Sequence, residues 1–207
     1  MNRSKIQLVA MGALIFVTAT AFTLVTISPE LEIGKPIPAA DVKMMDVSGK
    51  EITLSGAKGE NGLLVIFSCN TCPYVKLSES RIKEYAQLAK VNKIGVVLIN
   101  SNEAQRGDED SLDAMKKYAA AQGYTFSYAV DKNSIVADAF GATKTPHIFL
   151  FDKKGLAYHG AIDDNIRDVK DAKEHFLKDA VVAVGSGKAV NTTFSKSVGC
   201  SIKRVGE

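Results

Sequence analysis

Residues 63–73 decide the fold, and they read Leu63-Leu64-Val65-Ile66-Phe67-Ser68-Cys69-Asn70-Thr71-Cys72-Pro73. The run of consecutive apolar residues at 63–67 predicts a strand that is buried on both faces of a sheet. Proline is favoured in the first turn of a helix, so Pro73 predicts a helix start just after the second cysteine. Apolar residues then recur at helical spacing at Ile82, Tyr85, Ala86 and Ala89. Cys69 and Cys72 are therefore expected at a strand-to-helix junction.

Such a junction makes a thiol reactive. The unpaired N–H groups and partial positive charge of a helix N-terminus favour thiolate, which brings a cysteine pKa below about 8.5. The C-x-x-C spacing lets the two sulfurs form a disulfide, although the same spacing is also typical of half a zinc site. Zinc needs four ligands, and the remaining candidates are scattered: Cys200, His147, His159 and His175. We favour a redox pair over a metal site or inert cysteines, and expect neither a resident metal nor a cofactor.

The composition fits one domain with a proper core, since 46% of the 207 residues are hydrophobic. The formal net charge is +3, and two of the basic residues, Arg3 and Lys5, precede residue 28. The remainder is close to neutral, which argues against a nucleic-acid partner.

Residues 6–27 carry no charge and follow a short basic segment. This pattern is typical of a signal peptide, for which Ala19-Thr20-Ala21 offers a cleavage site. The run also exceeds the roughly 20 residues that span a bilayer, so an uncleaved membrane anchor stays open. The flanking charges argue against a buried core helix. We expect an extracytoplasmic protein, periplasmic or secreted, with membrane contact through residues 6–27 alone.

The pattern divides the chain into residues 1–27, a linker at 28–40, a domain at 41–185 and a polar, irregular tail at 186–207. Within the domain it predicts a hairpin at 41–54, strands at 94–99 and 126–130, and a second hairpin at 147–161. The acids at 108–110 suit a helix start, and a last helix is expected from about Asn165 to Gly185. The order predicts an α/β fold, with a mixed central sheet, a parallel βαβ core, antiparallel hairpins and helices on both faces.

Four motifs carry a resemblance to the thioredoxin-like superfamily, specifically to its redoxin branch, which includes peroxiredoxins and membrane-tethered thiol reductases. They are Asp46-Val47-Ser48-Gly49-Lys50, the cysteine junction at 69–73, Gly141-Ala142-Thr143-Lys144-Thr145-Pro146, and Phe149-Leu150-Phe151-Asp152-Lys153-Lys154-Gly155. The ending Gly199-Cys200-Ser201-Ile202-Lys203 is similar to that of a peroxiredoxin-like subgroup.

The resemblance implies a thioredoxin-like fold in which Pro146 is cis and lies beside the cysteines. It also implies that the backbone of Thr145 pairs with the main chain of a substrate. Without the resemblance, a trans proline opening an edge strand stays open.

The sequence departs from the family in three ways. Ser68 stands where thioredoxins carry Trp, and residues 63–67 contain no buried acid to relay protons. Peroxiredoxins carry a Thr three residues before their peroxidatic cysteine and a Pro four residues before that Thr. If Cys72 matches that cysteine, Cys69 stands in place of the Thr and Val65 stands in place of the Pro.

We therefore expect an exported thiol–disulfide oxidoreductase in which Cys69, the more exposed cysteine, attacks, and Cys72, one helical turn in, resolves. Its partners would be thiols or disulfides of proteins or small molecules, and a membrane or soluble electron donor. Cys200 is not expected to resolve, because a tail beyond the last helix offers no fixed geometry.

Two alternatives remain. One is a hydroperoxide reductase that uses Cys72, and the other a copper-binding assembly factor that uses Cys69, Cys72 and His147. His147 follows Pro146, so it either assists the thiols or is an ordinary strand-end histidine. His159 and His175 are expected at the surface.

Overall fold

The computed structural model describes residues 29–206, so the signal peptide or anchor predicted at residues 1–27 lies outside the described part. The strands are β1 (Met44–Asp46), β2 (Glu51–Ile52), β3 (Gly62–Ser68), β4 (Ile94–Asn100), β5 (Ser127–Val130), β6 (Lys144–Thr145), β7 (His147–Phe151), β8 (Leu156–Gly160) and β9 (Cys200–Ser201). The helices are α1 (Leu54–Ala57), α2 (Pro73–Val91), α3 (Leu112–Gln122), α4 (Ile135–Phe140) and α5 (Phe176–Gly185). Among the described residues, none of the helices has the length and apolar character needed to cross a membrane.

A seven-stranded mixed sheet forms the centre, in the order β2-β1-β5-β4-β3-β7-β8. The central strand β3 runs parallel to β4 and antiparallel to β7, and β4 runs parallel to β5. The two hairpins, β1–β2 and β7–β8, form the edges. The predicted α/β fold with a parallel core and antiparallel hairpins is confirmed.

Alternate side chains of β3 point into two separate hydrophobic cores, as expected for a strand buried on both faces. Leu64 and Ile66 pack with helices α2, α3 and α5, whereas Val65 and Phe67 pack with α1 and α4. Phe67 makes an edge-to-face contact with Phe140 at 5.3 Å between ring centroids. The sheet is thus covered by helices on both faces.

The last helix begins at Phe176 and not near Asn165, which corrects the sequence-based prediction. The buried guanidinium of Arg81, on α2, is responsible for much of the difference. It donates to the carbonyl oxygens of Asn165 at 3.0 Å and Ile166 at 2.8 Å, and it pairs with the buried carboxylate of Asp163. These contacts hold the chain in a loop after β8 and tie that loop to α2.

The C-terminal tail is also more ordered than predicted. Its strand β9 pairs antiparallel with β6, and the side chain of Ile202 is buried in the core. Arg204 donates through Nε to Asp138 at 2.8 Å and through Nη2 to the Ala142 carbonyl oxygen at 2.8 Å. Strand pairing, one apolar anchor and one buried cation therefore help to order a segment whose composition alone predicts irregular structure.

The residues predicted as a linker lie against the domain where they are described. The Leu31 amide donates to the Phe140 carbonyl at 3.1 Å, and the Leu156 amide donates to the Lys35 carbonyl at 2.8 Å. These contacts bring residue 30 to the start of β7, where His147 lies.

We predict that Asp163→Ala destabilises the domain by about 3–5 kcal/mol, because it leaves the Arg81 guanidinium buried without its counter-ion. Urea unfolding followed by circular dichroism measures the change. Asp171→Ala, at an exposed site in the same loop, is the matched control and should change stability little. Equal effects of the two substitutions would contradict a special role for the buried pair.

Candidate active site

The two motif cysteines lie where the central strand meets helix α2. Cys69 directly follows β3, and Cys72 is the N-cap residue of α2, with Pro73 at the first helical position. Both side chains are 2% exposed. The expectation that Cys69 is the more exposed thiol is therefore wrong, and Cys72 lies at the helix end and not one turn inside it.

Thr145 joins the cysteines from the strand β6. Its hydroxyl oxygen lies 3.5 Å from the Cys69 sulfur, and its carbonyl oxygen lies 3.1 Å from the Cys72 sulfur. The bond from Thr145 to Pro146 is cis, as the resemblance implied. The sequence thus predicted correctly that these two distant segments meet.

A third thiol completes the cluster. The pairing of β6 with β9 sets Cys200 opposite Thr145, and the Cys200 sulfur lies 2.8 Å from the Cys72 sulfur. The premise that Cys200 lacks a fixed geometry is wrong. The Thr145 backbone, expected to pair with a substrate, pairs here with the chain's own tail.

Gly199 allows this close approach of the tail. A Cβ atom at that position would lie 2.1 Å from the Thr145 carbonyl oxygen, far inside van der Waals contact. The lack of a side chain at Gly199 is therefore what lets β9 carry Cys200 up to Cys72.

The electrostatics of the cluster favour a thiolate on Cys72. Its pKa is lowered chiefly by a hydrogen bond from Cys69, with further contributions from Cys200 and the Val75 amide, while burial opposes the shift. A hydrogen bond with the Thr145 side chain also lowers the pKa of Cys72. The pKa of Cys69 is raised by the bond it donates to Cys72 and by burial, and burial first of all raises that of Cys200. Of the three thiols, Cys72 at the helix N-terminus is therefore the one whose pKa is lowered, whereas the pKa values of its two neighbours are raised.

A buried polar network holds the residues between the cysteines. Asp110 accepts hydrogen bonds from the Asn70 amide at 2.9 Å and from the Asn100 side chain at 2.7 Å. The Tyr128 hydroxyl donates to the Asn70 side-chain oxygen at 2.9 Å. These bonds fix the turn between Cys69 and Cys72.

Sequence reasoning missed Asp110, which it grouped with the acids of a helix start. Helix α3 in fact begins at Leu112 and is capped by Ser111, so Asp110 precedes the helix and points into the site. Strand β3 has no acid, as predicted, but a fully buried carboxylate reaches the same region from a loop. The adjacent polar triplet Asn100-Ser101-Asn102, at the end of a buried strand, is the signal that could have found it.

His147 does not join the thiols. It shares one face of β7 with Phe149, which packs with Phe67, whereas Cys69 and Cys72 pack on the other face of the sheet. The copper-binding hypothesis, which needs His147 beside both cysteines, is therefore wrong. His159 is 7% exposed, so the expectation that it lies at the surface is wrong, whereas His175 is only partly buried.

Comparisons with known proteins agree with the fold described above. The family model described as Redoxin matches residues 32–175. A search of curated proteins gave no match.

Two solved structures of uncharacterised proteins are similar over most of the chain. A hypothetical protein from Sinorhizobium meliloti is 38% identical, covers 86% of this chain and 98% of its own, and has a TM-score of 0.76. An uncharacterised conserved protein from Geobacillus kaustophilus is 30% identical, covers 83% of this chain and 94% of its own, and has a TM-score of 0.74.

A secreted disulfide oxidoreductase from Mycobacterium tuberculosis shares the fold. It has 14% identity, a TM-score of 0.52, and coverage of 70% of this chain and 97% of its own.

We predict that reduced protein keeps one thiolate at neutral pH and loses it only in acid, because the pKa of Cys72 lies below its ordinary value. Ultraviolet thiolate absorbance during a pH titration measures this. Cys69→Ala should move the titration to higher pH by removing a hydrogen-bond donor, and Cys69→Ser, which keeps a donor, should move it less. A titration of the unaltered protein near pH 8.5 would contradict the assignment, as would a neutral-pH signal that survives in Cys72→Ser.

Proposed function

The chain belongs to the Redoxin family, and on that premise we propose that it is an exported thiol–disulfide oxidoreductase in which Cys72 is the attacking thiolate. The observation that carries the proposal is the position of the Cys72 sulfur, at the N-terminus of α2 and 2.8 Å from a second thiol. The family membership and the thioredoxin-like neighbours support a redox enzyme in general.

The proposed reduction begins with attack on a substrate disulfide. The Cys72 thiolate bonds to one substrate sulfur, the substrate S–S bond breaks, and the other sulfur leaves as a thiolate that takes a proton from solvent. A neighbouring thiol then loses its proton and attacks the Cys72 sulfur of the mixed disulfide. That step releases the second substrate thiol and leaves an intramolecular disulfide, which a two-electron thiol donor must reduce.

Two thiols compete for the resolving step, and the geometry favours Cys200 over Cys69. Cys200 contacts Cys72 directly and is only half-buried, whereas Cys69 is almost fully buried. The Cys200 thiol therefore loses its proton to solvent more readily than the Cys69 thiol does. In this scheme Cys69 stabilises the Cys72 thiolate by hydrogen bonding. The sequence-based proposal had Cys69 attacking and Cys72 resolving, so both roles change.

The arrangement also favours one second candidate, a hydroperoxide reductase. A single stabilised thiolate beside a resolving thiol can attack a peroxide oxygen and break the O–O bond; the leaving oxygen takes a proton from solvent and departs as water or an alcohol, which leaves sulfenic acid on Cys72. The Cys200 thiol would then condense with that sulfenic acid, forming the same disulfide and releasing water.

We predict that Cys72→Ser abolishes reduction of a small aromatic disulfide by the full-length protein. Cys200→Ser should accumulate mixed disulfides through Cys72, because the favoured resolving thiol is missing. Cys69→Ser should accumulate fewer mixed disulfides than Cys200→Ser, because it keeps the favoured resolving thiol. Non-reducing gels and peptide mapping measure the adducts, and mapping of the oxidised native protein should give mainly Cys72 joined to Cys200.

Several outcomes are informative. Activity that persists in Cys72→Ser would overturn the proposal, and a dominant Cys69–Cys72 disulfide would return the resolving role to Cys69. Rapid, catalytic turnover of hydrogen peroxide, with slow turnover of disulfides and sulfinic acid confined to Cys72 at high dose, would establish the second candidate instead.

The proposed location outside the cytoplasm rests on the uncharged run at 6–27. We predict that cell fractionation finds the native chain in the periplasm, the medium or the membrane fraction, and that intact mass reports whether cleavage after Ala21 has occurred. Finding the full-length chain soluble in the cytoplasm would contradict export.

A further inference from the structure

A second cluster of titratable side chains lies on the face of the sheet opposite the thiols. Strands β7 and β8 pair so that His159 stands across from Phe149, two residues from His147 on the same face. The Phe149 ring contacts both imidazoles, and its centroid lies 4.5 Å from that of His147 and 5.8 Å from that of His159. Both histidines are held by strands and aromatic contacts, so their ring positions are fixed by the fold.

Glu30 brings a carboxylate to the two histidines from the segment that precedes β1. Its Oε1 atom lies 2.7 Å from His147 Nε2 and 3.4 Å from His159 Nδ1. One ligand atom from each of the three residues lies within 4.8 Å of the other two. The three groups therefore converge on one small volume.

These contacts are not those of a well-formed hydrogen bond. Despite the short distance to Glu30, neither His147 Nε2 nor His159 Nδ1 has an aligned hydrogen-bond partner among the described residues. The His147 ring is fully buried. Burying a polar group without a partner is unfavourable, so the cluster calls for a partner that all three groups can face at once.

We propose that Glu30, His147 and His159 bind one divalent transition-metal ion, of the kind for which Zn²⁺ is the natural probe. Two imidazoles and one carboxylate are a donor set that suits zinc and its first-row neighbours. Zinc–ligand bonds of about 2.0–2.2 Å place neighbouring ligand atoms about 3.3 Å apart in a tetrahedron. The contact to His159 already matches that spacing, and the contact to His147 needs to open by about 0.6 Å.

The Glu30 side chain is 37% exposed, so the cluster can be reached from solvent through this residue.

A metal ion bound here would cross-link the segment before β1 to the β7–β8 hairpin. It would lie on the far side of the sheet from Cys72, so it does not depend on the proposed oxidoreductase activity. Binding and stability can be tested whether or not that activity is found.

The test is Zn²⁺ binding by the full-length, untagged protein carrying Cys69→Ser, Cys72→Ser and Cys200→Ser, because thiols also bind zinc. Isothermal titration should give one equivalent per chain, and the midpoint of thermal unfolding should rise with Zn²⁺ concentration. Glu30→Gln and His159→Asn should each weaken binding at least tenfold, the lower bound known for removing even a supporting group of a zinc site. Co²⁺ should give the visible spectrum of a tetrahedral complex with nitrogen and oxygen ligands.

Matched controls keep the inference falsifiable. Glu32→Gln changes an exposed carboxylate two residues away, and His175→Asn changes a histidine outside the cluster; both should bind Zn²⁺ as tightly as the parent. Circular dichroism confirms that each variant is folded. Absence of stoichiometric binding would overturn the proposal, as would binding that Glu30→Gln and His159→Asn leave unchanged.

Discussion

The structure depends on the burial of strand β3 on both faces and along both edges. Every residue of the strand is buried, and its backbone is paired with β4 on one side and β7 on the other. A strand held in this way cannot slip in register without moving apolar side chains from one core to the other. Its last residue therefore fixes where Cys69 lies, and the short turn after it fixes where Cys72 meets the N-terminus of α2.

The same strand separates two polar centres that share the molecule. Side chains on one face lead to the three thiols, and those on the other lead to the histidines of β7 and β8. Because successive residues of β7 point to opposite faces, His147 lies next to Pro146 in sequence and yet across the sheet from the cysteines. Adjacency in the chain was thus a poor guide to adjacency in the site.

The sequence predicted those parts of the fold that depend on local patterns. The apolar run of β3, the helical spacing after Pro73 and the turn residues of both hairpins were sufficient for the sheet, for α2 and for the junction between Cys69 and Cys72. It did not predict contacts between distant polar groups. Arg81 interrupts an apparently helical segment, and Asp110 enters the site from a loop. The tail docks through backbone pairing and a few isolated side chains, among them Ser195, Ile202 and Arg204, a pattern that periodicity does not show.

The docking of β9 has a consequence for competition between thiols. A group held in contact with its reaction partner behaves as though it were present at an effective molarity far above any free reagent, and values of about 10⁵ M or more are reached in well-oriented systems. The Cys200 sulfur, held 2.8 Å from that of Cys72 by backbone pairing, has this advantage over every small thiol dissolved around the protein. In the proposed mechanism, millimolar free thiols would therefore rarely intercept an oxidised Cys72 before Cys200 does. The pairing of two short strands, β6 and β9, would thus favour internal resolution over capture by a dissolved thiol.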